Sequence, residues 1–378
     1  MNSTLRGHLC IVFALEHYNP LGMIRGLGEN GVCPVYISIR HRGEVATKSR
    51  FISRLHRADT VEDGYRLLLR EYGHFDRDHR PILFFSDDKT MDYFDAHYDE
   101  VKDKFILFNA RTPGRIHQFM DKYAILQLAK KHGLNVLDTH MVRLGEIPEG
   151  LTYPVITKDI SPNSGSWKAD VFICEDEAAL KKACEKISSP VIILQQFLEK
   201  KDELALEGYA IRHGREIQII TATSAKYLIK GYYSPYNDVL PFRNPDMERK
   251  IQAMFEEIGF EGVFEVEFLI AQDGTPYFSE INFRASAWNH TTNFAGMAES
   301  YLWAKGMLNG CIDESDRKDF APFTSMVEII DYGKRVDSGK ITLAQWLSDF
   351  RQAKCTYYYN ENDMGPWEYV SDKWDSYK

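Results

Sequence analysis

The chain has 378 residues, 44% of them hydrophobic and 27% charged, and a net charge of −9. That length supports more than one core, and the composition is ordinary for a globular protein. The acidic balance, without any Lys/Arg-rich run, argues against nonspecific binding of nucleic acid, although a local basic site for a nucleotide stays open.

The six cysteines (Cys10, Cys33, Cys174, Cys184, Cys311, Cys355) are scattered, with no CxxC pair. This is the pattern of reduced, structural thiols in a cytoplasmic protein, not of a disulfide framework or a zinc site. The apolar run Leu9–Leu15 follows Arg6 and His8 somewhat as a signal peptide would. It is short, lacks a small-residue cleavage site and continues into Glu16–Pro20, so a buried first strand fits better. No stretch reaches the length of a membrane span.

In chain order, the spacing predicts a strand at Leu9–Leu15, a helix from Pro20 to Gly31 and a second strand at Val32–Ile39. This β-α-β order implies a parallel sheet with a right-handed crossover. Further strands are expected at Pro81–Ser86 and Phe105–Phe108. Ligands gather beyond the carboxyl ends of such strands, so the loops Glu16–Asn19, Ser86–Asp88 and Asn109–Arg111 are candidates for a small-substrate site. Ordinary polar loops and caps are the alternative for each. No GxGxxG fingerprint supports a dinucleotide.

After a composition break at Arg111–Gly114 come a helix at Ile116–His132, a strand Tyr153–Lys158, and a polar loop, Ser161–Lys168. The Gly and Ser residues of that loop offer exposed N–H groups suited to phosphates, as do many surface loops. A strand at Val171–Cys174 and a helix at Asp176–Ile187 precede the strand Val191–Leu198. Two strands, Leu204–Arg212 and Arg215–Ser224, join at His213-Gly214, and a helix follows at Met247–Ile258. A helix near Ala295–Leu308, a short helix Leu343–Phe350 and a strand Cys355–Tyr359 complete the chain. There is no internal repeat and no low-complexity tract.

The most informative stretch is Val263–Arg284, two strands joined at Asp273-Gly274, a dipeptide suited to a tight turn. With the turn centred there, Glu267 faces Glu280 and Glu265 faces Asn282, all on one sheet face. Like charges directly opposite destabilise a ladder by about 0.2–1 kcal/mol. Two readings fit: a solvated face that tolerates Glu, or carboxylates arranged around a hard cation such as Mg²⁺, which takes oxygen ligands together with substrate phosphates.

Across about Arg115–Gly310 these motifs resemble the ATP-grasp superfamily. EVEFLIAQDGTPYFSEINFR looks like its signature of an acidic residue, a hairpin and then E-x-N-x-R. Asp121-Lys122 resembles its first nucleotide lysine, Lys158 its second, Gln195–Leu198 its adenine hinge and Glu203 its ribose carboxylate. The opening YNPLGMIRGLGENG and the tail GKITLAQWLSDFRQAK look like carboxylate–amine ligases related to D-aspartate ligase. Two departures from the common pattern are Gln in the hinge where Glu is frequent, and NFR in place of NPR.

The resemblance implies an α/β fold with an N-terminal Rossmann-like domain (1–114) and an ATP-grasp domain (115–322) whose small α+β lid spans about 150–198. A larger α+β part with an antiparallel sheet and a C-terminal extension (323–378) would complete it. It implies ATP-dependent joining of a small carboxylate and an amine, of amino-acid or peptide-like kind, through an acyl phosphate, with neither nucleic acid nor membrane as a partner. Glu267, Glu280 and Asn282 would hold one or two Mg²⁺ ions, with Mn²⁺ a substitute, and Arg284 would be catalytic. Lys122, Lys158, Gln195, Gln196, Phe197, Leu198 and Glu203 would bind ATP, and the loop Ser161–Lys168 would close over it. Lys226 and Lys230 could approach the phosphates or stay on the surface; Trp288, Asn289 and His290 could line the substrate pocket. A phosphotransferase or carboxylase-type enzyme on the same nucleotide site, or a non-catalytic ATP-binding module, remain alternatives. The oligomeric state is open, a dimer through the N-terminal domain being a reasonable expectation.

Overall fold

The computed structural model describes residues 5, 7–41, 43–158, 170–229 and 233–373. The loop Ser161–Lys168 and Lys230 therefore lie outside the described residues.

Near the N-terminus, β1 (Cys10–Leu15), β2 (Val35–Ile39), β3 (Arg54–Ala58) and β4 (Ile82–Phe84) form a parallel sheet in the order β3-β2-β1-β4. Strands β1, β2 and β4 are nearly continuous apolar runs because both faces are covered, as parallel sheets require. The edge strand β3 and the following helix Val61–Tyr72 carry no prediction from sequence. Arg-Leu-His-Arg-Ala lies half exposed at the sheet edge and lacks an apolar run. The strand expected at Phe105–Phe108 makes only a single bridge, Ile82 to Ile106, before Asn109 pairs with Glu261 instead.

The single helix expected at Ile116–His132 is two helices, Arg115–Met120 and Lys122–Lys131. Asp121 interrupts them with ψ 119° and caps the second by accepting from the Ala124 N–H at 2.8 Å. An Asp N-cap satisfies one orphan donor of a helix start, and here it puts Lys122 in the first helical position.

A small antiparallel sheet follows, made of β5 (Thr139–Arg143), β6 (Val155–Lys158), β7 (Ile173–Cys174) and β8 (Val191–Gln196), in the order β5-β8-β6-β7. It has its own core around Val142, Val155, Leu180, Ile192 and Leu194. Its first strand lies ahead of the 150–198 limits expected for the lid, because β5 pairs with β8 along its whole length.

The remaining strands build one sheet in the order β13-β12-β9-β10-β11-β14-β15. They are β9 (Asp202–Ile211), β10 (Glu216–Ala225), β11 (Tyr236–Pro241), β12 (Gly262–Ile270), β13 (Pro276–Asn282), β14 (Phe323–Met326) and β15 (Cys355–Thr356). Residues after 322 thus supply two strands of the main sheet rather than an appendage to it.

The parallel sheet docks on this body through the helix Asn19–Glu29. A Cβ on Gly22 would lie 1.9 Å from Asn289 Oδ1, and Asn293 Nδ2 donates to the Gly22 carbonyl at 2.7 Å. Only glycine admits that approach. Among the described residues, no helix is long and apolar enough to cross a membrane, and all six cysteines are free.

Candidate active site

The hairpin has the expected register where it matters, with Glu267 opposite Glu280 and Glu265 opposite Asn282. The route to it differs. Five residues, Ala271–Thr275, separate the last pair, Ile270 and Pro276, and Gly274 turns at φ 88°. That odd loop would shift the register by one, but a bulge between Phe268 and Glu267 inserts Ser279 and restores it.

The carboxylates face one another with little compensation. Burial first, then Glu280, Glu265 and Glu203, push the Glu267 pKa well above the usual range. Asn282 Nδ2 donates to Glu265 Oε2 at 2.7 Å and to Glu267 Oε1 at 3.1 Å. Glu280 meets no hydrogen-bond donor among the described residues. No group of three His, Cys, Asp or Glu side chains forms a ready metal cluster among them either. The donor set is two facing carboxylates and an amide oxygen, which suits a hard cation carried in with phosphate oxygens.

Arg284 continues this face. Its Nη2 donates to Asn282 Oδ1 at 3.0 Å, while Nε and Nη2 donate to Asp88 Oδ1 and Oδ2 at 2.8 and 3.2 Å. Burial alone would lower the guanidinium pKa; Asp88, Glu265 and Asp87 more than offset it, so the cation is firmly held.

The nucleotide candidates converge on the same place. Lys158, the last residue of β6, donates to Gln195 Oε1 at 2.7 Å. Burial lowers its pKa to about 8; Lys122 and Lys200 add to the shift, and Glu280 and Glu267 oppose it. Those electrostatic neighbours link the small sheet to the hairpin. The Gln195 amide group also donates to Thr139 Oγ1 at 2.9 Å, and the amides of Gln196 and Phe197 donate to the carbonyls of Asp138 and Pro154. Of the hinge N–H groups from Gln196 to Leu198, that of Leu198 alone meets no acceptor among the described residues. Glu203 shares the Glu267 face of the sheet and pairs with Lys200.

Other candidates are engaged elsewhere. Lys226 pairs with Asp238 at 2.6 Å. Asn109 exchanges both backbone hydrogen bonds with Glu261, so the Asn109–Arg111 loop serves the joint between the parallel sheet and the body. Glu16 accepts from Tyr36 Oη, Ser38 Oγ and the Ala46 N–H, which fixes the loop after β2. His290 is buried against Tyr357, and burial together with Arg25 drops its pKa to about 3, leaving it a neutral ring.

No protein-family model matches the chain. It is 26% identical over 181 residues to the D-alanine–D-alanine ligase of Anaeromyxobacter dehalogenans, which covers 43% of this chain and 56% of that one. The chain thus spans about half the length of the curated relatives it matches. The N5-carboxyaminoimidazole synthetase of Staphylococcus aureus superposes with a TM-score of 0.65 at 15% identity, covering 88% of this chain and 85% of that one; it has also been solved with ADP. The L-amino acid ligase of Bacillus licheniformis superposes with a TM-score of 0.62 at 14% identity, covering 84% and 79%. The fold is the ATP-grasp fold.

Within this fold, four side chains of the site had no assigned role from the sequence. Asp88 was expected only as part of the candidate substrate loop Ser86–Asp88; it opens the helix Asp88–Ala96 and pairs with Arg284, a partnership with no sign in the sequence. Lys200 follows the hinge in a run of charge that reads as solvated surface. Glu207 lies across the ladder from Glu265 and is fully buried; its signal was a Glu four residues after Glu203, on the same face of a mostly apolar strand. Tyr357 comes from the tail and had no local signal at all.

Proposed function

We propose that the protein is an ATP-dependent carboxylate–amine ligase that forms an amide through an acyl phosphate and releases ADP and phosphate. The observation that carries this reading is that facing carboxylates and a paired arginine on one sheet face lie within electrostatic reach of a lysine of the small sheet, Lys158, which is acted on by both Lys122 and Glu280. The ligase names of the relatives support it.

In this reading the Leu198 N–H and neighbouring carbonyls read the adenine, and Glu203 accepts from the ribose hydroxyls. Lys122 and Lys158 neutralise phosphate charge. Glu267, Glu280 and the Asn282 amide oxygen would hold Mg²⁺, which would supply positive charge against the ATP phosphates; Mn²⁺ suits the same oxygen donors. The substrate carboxylate oxygen attacks the γ-phosphorus and ADP leaves. The free amine then attacks the acyl carbon, a proton is lost, and phosphate departs as the C–N bond forms. Arg284 stabilises charge on the transferring phosphoryl group and on the tetrahedral oxyanion, held by Asp88 in the orientation needed. Such a reaction needs positioned charge rather than a protein nucleophile, and the site offers that. A reaction that consumes ATP fits a cytoplasmic enzyme.

The test is a screen of small carboxylic acids and amines, singly and in pairs, for ATP-dependent phosphate release. Release of ADP and phosphate only when both partners are present supports ligation. AMP, or a stable phosphorylated product formed without amine, would overturn it.

A further inference from the structure

Strands β5, β6 and β8 present two faces. On one of them Val142, Val155, Ile192 and Leu194 build the core of the small sheet. Thr139 lies opposite Gln195, Gln195 lies opposite Ile156, and Lys158 follows two residues after Ile156. Residues paired across a ladder share a face, as do residues two apart along a strand. Thr139, Gln195 and Lys158 therefore project together from the face that this core does not use.

Three hydrogen bonds join them in series. Lys158 Nζ donates to Gln195 Oε1 at 2.7 Å, Gln195 Nε2 donates to Thr139 Oγ1 at 2.9 Å, and Thr139 Oγ1 donates to the Leu137 carbonyl at 2.7 Å. The donor and acceptor chemistry fixes the direction of each bond. A carbonyl only accepts, so the Thr139 hydroxyl hydrogen points to Leu137 and its lone pairs face Gln195. The amide nitrogen must then turn towards Thr139, which turns the amide oxygen towards Lys158. An ammonium only donates, so the series closes without conflict. Bonds in such a series polarise one another, which makes the amide oxygen a better acceptor for the lysine.

Both ends of the Gln195 side chain are thus used, and at 4% exposure no water competes for them freely. A glutamate, frequent at this place in the pattern that the hinge resembles, could not replace it in the series. Its carboxylate has no hydrogen to donate to Thr139, and it would set a full negative charge against Lys158. Gln195 holds the lysine through a neutral oxygen and leaves its charge for a ligand. The contact also decides where that charge points. After burial, the groups acting on Lys158 are Lys122, Glu280, Lys200 and Glu267, of both signs. A lysine has a flexible four-carbon stem, and the Gln195 contact anchors its end among them.

We propose that Thr139 is a positioning residue of the nucleotide site: acting through the Gln195 amide, it fixes the Lys158 ammonium before the nucleotide arrives. The proposal rests on the reading of Lys158 as a phosphate lysine. A group held beforehand loses less freedom when the ligand binds, so the effect falls on nucleotide affinity.

The test is a double-mutant cycle, read by calorimetric titration of the full chain with β,γ-imido-ATP and Mg²⁺. Thr139→Val keeps the volume and removes the hydroxyl; it should raise the Kd about tenfold, the scale of one hydrogen bond to a charged group. Thr139→Ser keeps the hydroxyl and should stay within about twofold of the wild type. Lys158→Met should weaken binding at least as much, and adding Thr139→Val to it should cause no further loss, because the hydroxyl acts through the lysine. Gln195→Met removes both ends of the amide and serves as the second variant should Thr139→Val fail to fold; its loss should likewise vanish behind Lys158→Met. Melting temperatures check folding. Losses that add in the double variant overturn the proposal, as does a loss in Thr139→Ser equal to that in Thr139→Val. A folded Thr139→Val protein that binds as the wild type does, beside a weakened Lys158→Met, removes Thr139 alone and leaves the lysine its nucleotide role. Lys158→Met without effect on binding overturns both.

Discussion

Asp88, the first residue of the helix Asp88–Ala96 that follows β4, receives two hydrogen bonds from Arg284, at 2.8 and 3.2 Å, so the parallel-sheet part of the chain holds the arginine that ends the hairpin. A planar guanidinium gripped by a carboxylate has a fixed orientation as well as a fixed charge. Asp88→Asn removes the charge and half the grip. It should lower kcat by about tenfold to a hundredfold, the scale of a small misplacement of a catalytic group, with ATP affinity nearly unchanged. Phosphate-release kinetics and nucleotide titration check this; equal loss of both would assign Asp88 to ATP binding.

Glu280 faces Glu267 across the ladder and meets no hydrogen-bond donor among the described residues. Glu280→Gln removes one of the two facing charges. ADP affinity should fall with Mg²⁺ or Mn²⁺ present and change little in EDTA. An unchanged metal dependence removes Glu280 from the ligand set.

Lys158 titrates near pH 8, below the ordinary lysine value of 10.5, because burial, Lys122 and Lys200 disfavour its charge. Between those values the unfolded chain binds a proton that the folded chain does not, so this group makes stability rise with pH there. Nucleotide binding should run the other way, since phosphate needs the cation. ATP affinity should fall as pH rises through about 8, and Lys158→Arg should flatten that fall, because Arg stays charged. A pH series of ATP titrations on both proteins measures it.

Arg25 and Asp363 form an ion pair with both side chains at 0% exposure, and Asp363 also accepts from Ser49 Oγ and the Arg50 N–H at 2.8 Å. Asp363→Ala strands a buried guanidinium, and breaking such a pair costs about 3–5 kcal/mol. Thermal denaturation should show a large drop in melting temperature, and limited proteolysis should show cleavage after residue 353. A tail as resistant as in the wild type would mean that Glu328, which accepts from the N–H groups of Tyr357, Tyr358 and Tyr359, alone holds it.

The site was legible in sequence where it is local. The facing of Glu267 and Glu280 follows from strand alternation, and it survives because the bulge at Ser279 cancels the odd loop, a compensation no spacing rule reveals. The two-helix break at Asp121 was missed because the apolar period continues through it, and the cap decides the break. The edge strand Arg54–Ala58 was missed because a half-exposed strand carries almost no periodicity, whereas the tail strand expected at Cys355–Tyr359 is present, shortened to Cys355–Thr356.

By itself the sequence determined most of the elements, the hairpin face and the order of the motifs, because periodicity, capping and turn chemistry act over a few residues. Only the tertiary structure decided which distant groups meet. Asp88 reaches Arg284 across 196 positions and Arg25 reaches Asp363 across 338. Glu207 gains its burial from Ser286 and the strands on either side of it. Charge pairing and desolvation depend on distance in space, and that distance is fixed by packing rather than by position along the chain.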